Sequence, residues 1–445
     1  MRLQTDEQTI DDLRIFSKKE APGIYDIYNH THTRGGEATL QEMFRHPLGN
    51  REDINRRSSI IEQFSKAGAA FPYSATLFDM AEKYLMHADE TEKRSPNAPA
   101  FGEKEIQNGV TAVIELIKTT QQFLHTTQVS AVKAYAGEKN EVLALLADAA
   151  LDPVMKDNSK GKLSYASITA FDTLFRVQEH AKIKKLLSYI FNLDVYLSVA
   201  EVANKRKFVF PKALDKGQYE LKLEGLYHPE LKNPVSNDIT LNAATPILFL
   251  TGANMAGKST FLRSLSTAVY IAHMGFPVAA RSMTFPVMDG IYTTINLPDN
   301  LGIGASHFYA EVLRVKKVAQ ELHEGKALFI IFDELFRGTN VKDAHEATVA
   351  VTNGFSQKSN SLFVISSHIV EAGEQLMKNP RIGFQYLPTR MNGHVPEYTY
   401  TLESGITEDR HGMIIIRNEG ILETLKNGIK RRSKPDSLHT KHSLA

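Results

Sequence analysis

Residues 252–260 read Gly252-Ala253-Asn254-Met255-Ala256-Gly257-Lys258-Ser259-Thr260, the G-x-x-x-x-G-K-[ST] spacing of a phosphate-binding loop. Glycines at these places let backbone N–H groups turn inward around phosphate oxygens. The lysine can reach the β- and γ-phosphates, and the hydroxyl that follows it can ligate Mg²⁺; here these are Lys258 and Ser259. Downstream, Leu328-Phe-Ile-Ile-Phe-Asp333-Glu334 ends an apolar run in two carboxylates. Asp333 is expected to hold magnesium through its water shell, and Glu334 to orient or deprotonate an attacking water. A further apolar run, Phe363-Val-Ile-Ser-Ser-His368, ends in a histidine suited to sensing a γ-phosphate. Together these groups point to nucleotide hydrolysis, with Lys258, Glu334 and His368 as the catalytic set. No Asn-Lys-x-Asp guanine reader occurs, so ATP is the expected nucleotide.

Such a site needs strands that end at one edge and a helix that starts there. Ile247-Leu-Phe-Leu directly precedes the loop, and Ala327-Leu-Phe-Ile-Ile-Phe and Ser361-Leu-Phe-Val-Ile have the same short apolar texture. Runs of this kind read as strands buried on both faces of an α/β sheet. From about Thr33 to Lys207 the spacing is helical instead. Ile106, Val110, Val113, Ile114 and Ile117 form one stripe, and Leu186, Ile190, Leu193, Leu197 and Ala200 form another with a near-heptad seam. Polar stretches beginning at Glu92 and Met155 read as loops between helices.

At 445 residues with 42 % hydrophobic content, the chain is long enough for two or three domains. The absence of cysteine excludes disulfides, thiolate-bound metals and a thiol nucleophile. The acidic opening residues are unlike a secretory signal and no stretch is read as a membrane span, so the expectation is a cytoplasmic protein without a membrane partner. A net charge of +1 gives no overall pull toward polyanions, so any nucleic-acid surface must be a local patch. Candidate clusters are Arg51, Arg56 and Arg57, and Lys182, Lys184 and Lys185.

The motifs resemble the MutS family of mismatch-repair ATPases. Thr251-Gly-Ala-Asn-Met-Ala-Gly-Lys-Ser-Thr-Phe-Leu-Arg263 is similar to the family's T-G-P-N-M-x-G-K-S-T-[YF]-[LM]-R signature. Ser306-His-Phe-Tyr-Ala-Glu311 is similar to its S-x-F-x-x-E helix, and Asp333-Glu-Leu-Phe-Arg337-Gly338-Thr339-Asn340 to its D-E-x-x-R-G-T-[ST] block. The resemblance implies an ABC-type arrangement, in which Ser306 of one subunit completes the nucleotide site of another, and hence a homodimer through the ATPase domains. It also places Asn237 near the adenine. The aromatic that the family offers to the base is replaced by Pro234. Thr33-Arg-Gly-Gly through Pro47-Leu48 looks like the start of the family's lever and core region.

These observations predict an α/β P-loop NTPase domain of ABC type over 215–425, preceded by an all-α lever/core domain over 30–214. Residues 1–29 are read as an extension and 426–445 as a basic, disordered tail. The expected ligands are ATP, held by residues 252–260 with Asn237, and Mg²⁺, held by Ser259 and Asp333. The resemblance further implies a short form without the family's mismatch-reading and connector domains, and without its clamp. The expected function is ATP-dependent binding of duplex or branched DNA, of the mismatch-repair or recombination type, with a possible repair-type protein partner. The alternative is a nucleotide-gated scaffold acting on a protein or an RNA-containing particle.

Overall fold

The computed structural model describes residues 2–17, 21–92, 102–157, 163–215, 217–295, 307–392, 395–407, 416 and 420–432. Two short helices, α1 (Glu7–Asp12) and α2 (Ile24–Tyr28), open the chain, followed by α3 (Arg34–Arg45), α4 (Arg51–Ala67), α5 (Ala75–Glu92) and α6 (Glu103–Leu124). Shorter helices α7 (Thr127–Ala131), α8 (Ala136–Leu146), α9 (Asp152–Lys156) and α10 (Tyr165–Thr173) lead to the long α11 (His180–Arg206).

Capping explains why several of these helices start where they do. Asp6, Thr33 and Asn50 each accept a backbone N–H of the first turn of α1, α3 and α4. Thr33 is itself fixed from α11. The fully buried Asp194 carboxylate accepts N–H groups of His32 and Thr33 at 2.9–3.0 Å and the Thr33 hydroxyl at 2.8 Å. This close approach explains the glycine at 36, where a Cβ would lie 2.3 Å from an Asp194 oxygen.

The stripe read as a near-heptad seam lies on α11, which packs against α3 and α4. An 18-residue window of this helix is apolar enough to cross a membrane, contrary to the sequence expectation, but 72 % of that window is buried inside the protein. Its hydrophobicity is therefore accounted for by the core.

Helix gives way to strand between Arg206 and Lys212, slightly before the expected boundary at 214. Strands β1 (Lys212–Leu214), β2 (Glu220–Leu226), β3 (Asn237–Asn242), β4 (Ile247–Gly252), β5 (Ser282–Pro286), β6 (Gly290–Thr294), β7 (Leu328–Phe332), β8 (Leu362–Ser366), β9 (Ile382–Leu387), β10 (Thr389–Asn392), β11 (Val395–Tyr398) and β12 (Glu403–Ser404) follow. The main sheet has the order β12-β9-β4-β8-β7-β6, parallel except for β12. A second sheet, β1-β5-β2-β3, stands beside it, and β10 and β11 form a hairpin.

Among the described residues, helices α12 (Lys258–His273), α13 (His307–His323), α14 (Val341–Ser356) and α15 (Val370–Leu376) connect the strands, and a last helix spans Ile421–Arg432. The tail expected to be disordered from 426 is therefore helical as far as Arg432, and 433–445 lie outside the described residues.

The strand residues alternate between two cores. Leu248, Leu250, Phe329, Ile331, Leu362 and Val364 face one that continues through α12 into the helical half, while Phe249, Ile330, Phe332, Phe363 and Ile365 face the other, under α13, α14 and α15. Both faces being covered, the strands are continuous apolar runs.

Helix α12 carries His273 at its buried end. Its Nδ1–H donates to the Val269 carbonyl at 2.8 Å, and Nε2 accepts the Met288 N–H at 3.1 Å. Both nitrogens are thus used in the neutral form, and burial moves this histidine from 6.5 down to about 4. The unfolded chain binds this proton more readily, so the stabilisation is complete above about pH 6.5 and is lost as pH falls toward 4. The thermal midpoint should drop across that window, and His273→Gln, which keeps one donor and one acceptor, should flatten this part of the drop.

Candidate functional site

The parallel order places the C-terminal ends of β4, β8 and β7 side by side, with Leu250 opposite Ser366 and Phe332 opposite Ile365. The phosphate-binding loop leaves β4 there, Asp333 and Glu334 leave β7, and Ser367 and His368 leave β8. Ligand sites of open α/β sheets gather at this edge.

The loop closes onto α12 through Gly257, whose left-handed conformation (φ 100°) caps the helix with no side-chain hydrogen bond. The first-turn N–H groups of a helix capped in this way can bind an anion, with the helix dipole adding to the attraction. Met255 also takes a positive φ (69°) and is exposed at the loop.

Lys258 is only 5 % exposed, and its Nζ donates to the carbonyls of Gly252 (2.8 Å) and Ala253 (3.2 Å). Burial lowers its pKa, while Asp333 and Glu334 pull it up. A buried ammonium bonded to neutral carbonyls is suited to a polyanionic ligand.

The Ser259 hydroxyl donates to Asp333 Oδ2 at 2.6 Å, and the Ser366 hydroxyl donates to Asp333 Oδ1. Ser366 Oγ in turn accepts the Glu334 N–H at 3.1 Å. Glu334, in the left-handed region (φ 56°), is bonded to His368 Nε2 through Oε1 and to Arg337 Nη1 through Oε2 at 3.2 Å. The His368 bond is the largest influence on Glu334; although burial opposes it, His368 and Arg337 together bring this carboxyl down to about 2. It is therefore an ionised acceptor at neutral pH, and the His368 proton on Nε2 points at it.

No group of three or more His, Cys, Asp or Glu side chains among the described residues could form a metal cage. The Ser259 hydroxyl and the Asp333 carboxylate nevertheless offer the hard oxygen donors that would suit a magnesium ion.

Beside the loop lies a cleft of about 330 Å³, lined by Tyr227, His228, Pro234, Asn237, Phe261 and Tyr400 among others. Asn237 is expected near the adenine and does line this cleft. Its amide, however, holds the chain around Tyr400, with Nδ2 donating to the Tyr400 carbonyl (2.9 Å) and Oδ1 accepting the Leu402 N–H (2.7 Å). That arrangement presents the half-exposed Tyr400 ring next to Gly257, where a Cβ would meet it at 3.0 Å. His228 is neutral at pH 7, because burial and then the charges of Arg14 and Arg263 bring it down to about 4.

The geometry thus brings together residues 252–260, Asp333, Glu334 and His368 at one edge, with Asn237 in the adjoining cleft. Ser306 lies outside the described residues, α13 beginning at His307.

Residues 248–430 match the family model for MutS domain V. This part of the chain is a MutS domain V, and through it the chain is similar to the MutS family. It is similar to the DNA mismatch repair protein MutS of Fusobacterium nucleatum, 28 % identical over 57 % of this chain and 30 % of the relative. The MutS of Leuconostoc mesenteroides is 33 % identical over 43 % of this chain and 23 % of the relative. The DNA mismatch repair protein MSH7 of Arabidopsis thaliana is 24 % identical over 94 % of this chain and 43 % of the relative. The chain therefore spans less than half the length of these relatives. Domain V is a P-loop ATPase fold, so the mixed α/β half with helices before it agrees with the expected fold class, and nucleotide binding follows from the family.

Sequence reasoning missed Ser366, which bonds the Asp333 carboxylate and the Glu334 backbone N–H, and Tyr400, which offers an aromatic to a cleft where Pro234 stands in place of the expected one. The Ser-Ser-His run at the end of β8 was a signal for the first. Nothing local signalled the second. Stacking of a base on an aromatic ring is worth about 1–3 kcal/mol, so Tyr400→Ala should weaken binding of a fluorescent adenine nucleotide about tenfold or more, with Tyr400→Phe close to wild type.

Proposed function

We propose that this chain is a MutS-family, magnesium-dependent ATPase of ABC type whose site is completed between two copies. The convergence of Ser259, Asp333, Ser366, Glu334 and His368 through one line of hydrogen bonds beside the buried Lys258 carries this reading. Lys258 and the loop N–H groups bind the β- and γ-phosphates, and the cleft faced by Tyr400 and Asn237 takes the adenine. Ser259 and Asp333 would hold Mg²⁺, which would offset the charge of the phosphates. Glu334, kept ionised and oriented by His368 and Arg337, receives a proton from the attacking water or aligns it. Ser306 of the second copy would complete the site, as the family resemblance implies, so that ATP binds the paired state more tightly than the open one and shifts the population toward it. Movement of the helical half follows from pairing and is reset by hydrolysis.

The relatives are named as DNA mismatch repair proteins, which supports DNA, duplex or branched, as the partner of the helical half. One observation favours the scaffold reading instead. Arg57 is partly buried and donates to the Met274 carbonyl at 3.0 Å, Arg51 pairs with Asp215 at 2.7 Å, and Lys182 pairs with Asp148 and with Glu179. These cations have internal partners, which leaves less charge for phosphates than the sequence suggests.

Glu334→Gln should trap ATP and sediment as a dimer only with ATP and Mg²⁺. The same sample, titrated with homoduplex, mismatched and four-way-junction DNA across a salt series, should bind with a steep salt slope. A monomer under every condition contradicts the composite site, and a dimer that holds no DNA even at low salt leaves the protein- or RNA-directed scaffold.

A further inference from the structure

Residues 1–29 were read as an extension, yet residues 4–12 pack along the edge of the main sheet. Gln4 bridges β6, donating its N–H to the Asp289 carbonyl (2.9 Å) and accepting the Ile291 N–H (2.9 Å). The Thr293 N–H is received by Thr9 Oγ1 (3.0 Å), and the Thr293 hydroxyl (2.8 Å) and the Ile295 N–H (2.9 Å) by the Asp12 carboxylate. The strand end nearest the carboxylate pair is thus tied to α1.

The tie extends to α13 through Arg314, only 9 % exposed. Its Nη1 and Nη2 engage both oxygens of Asp6, the second at 3.1 Å. Nη2 also donates to the Thr293 carbonyl (2.8 Å) and Nε to Thr294 Oγ1 (3.3 Å). Lys317, one helical turn on, adds a bond to Asp6 at 2.7 Å. Burial alone would raise the Asp6 pKa, but the bond and charge of Arg314 with that of Lys317 hold it well below the usual carboxylate range.

The network ends at the site, because Asp333 donates its N–H to the Thr294 carbonyl at 2.8 Å. At the other end of the segment, Arg14 pairs with Glu230, two residues from His228 in the turn that lines the base cleft.

We propose that Asp6 is a positioning residue for the hydrolytic site: through Arg314 it locks α13 to the end of β6, and through the Thr294 carbonyl it fixes where Asp333 stands. This rests on the ATPase reading above. The bidentate contact has the geometry that makes arginine–carboxylate pairs directional, and among the described residues Asp6 is the carboxylate that Arg314 bonds. If Asp6 is neutralised, a buried guanidinium is left without its counter-charge and α13 must shift or admit water. The phosphate-binding loop leaves β4, with β8 and β7 between it and β6, and meets this network through the Ser259–Asp333 bond rather than through Lys258. Nucleotide affinity and turnover should therefore respond differently.

The test compares the wild-type chain with Asp6→Asn and Asp6→Glu, measuring ATP turnover per nucleotide-binding site, ATP affinity, the Mg²⁺ concentration for half-maximal rate and the melting midpoint. Displacement of a positioned group by a fraction of an ångström lowers rates steeply, so Asp6→Asn is expected to lose about tenfold or more in kcat while ATP affinity stays within about twofold. It should also require more Mg²⁺, and Asp6→Glu should recover part of the rate. If Asp6→Asn does not fold, Thr294→Val, isosteric and lacking only the Arg314 acceptor, takes its place with an expected loss of about threefold or more in kcat. Unchanged kcat per binding site in the folded variant, even with a lower melting midpoint, overturns the proposal and leaves Asp6 a purely structural residue. A wild-type chain that binds ATP but never hydrolyses it refutes the ATPase reading itself, a different failure.

Discussion

Asp333 sits between two hydroxyl donors, Ser259 from the start of α12 and Ser366 from the end of β8, and most of the molecule is arranged so that this can happen. The carboxylate stands at the end of β7, so three strands must run parallel, side by side and in register to within a residue. Parallel strands need crossover connections, which here include helices on both faces. Those helices make the strands apolar throughout, and they place the N-terminus of α12, with its free N–H groups, at the same edge as the acids. The site's chemistry and the sheet's topology are thus one requirement.

The polar balance at that edge follows the same logic. Cation and carboxylates are kept apart: Lys258 is bonded to carbonyls, Asp333 to hydroxyls, and Glu334 to His368 and Arg337. Each charged group thus has partners of its own, without a direct lysine–carboxylate bridge among them. The positive φ at Met255, Glu334 and Tyr400 concentrates backbone strain in the same few elements.

What the sequence disclosed was whatever is contiguous. The loop 252–260, the Asp333-Glu334 pair and the terminal His368 each lie within a few residues of an apolar run, so spacing alone identifies them. The stripe at Leu186 to Ala200 likewise identified α11 as a core helix. What it concealed depends on partners far along the chain. Tyr400 reaches the cleft because Asn237, more than a hundred and fifty residues earlier, holds its backbone. Arg314 looks like one more surface cation of an amphipathic helix until Asp6 is seen against it, and Arg57 looks like a phosphate ligand until Met274 is. Charge read along a sequence carries no information about its counter-charge in space, which is why the partners of the basic clusters and of the N-terminal helix were not legible there.

The core under one face of the sheet does not stop at the change from helix to strand. It runs from Phe44, Phe64 and Leu197 through Tyr270 and Phe276 to Leu250 and Val364, with the Tyr28 and Tyr270 hydroxyls donating to carbonyls across the junction. A chain cut near residue 210 would leave two fragments, each with a raw apolar wall and broken polar pairs. Trading one half without the other between genes would therefore have to match the facing side chains of this shared core at once. Inheritance as a single block is built into the packing.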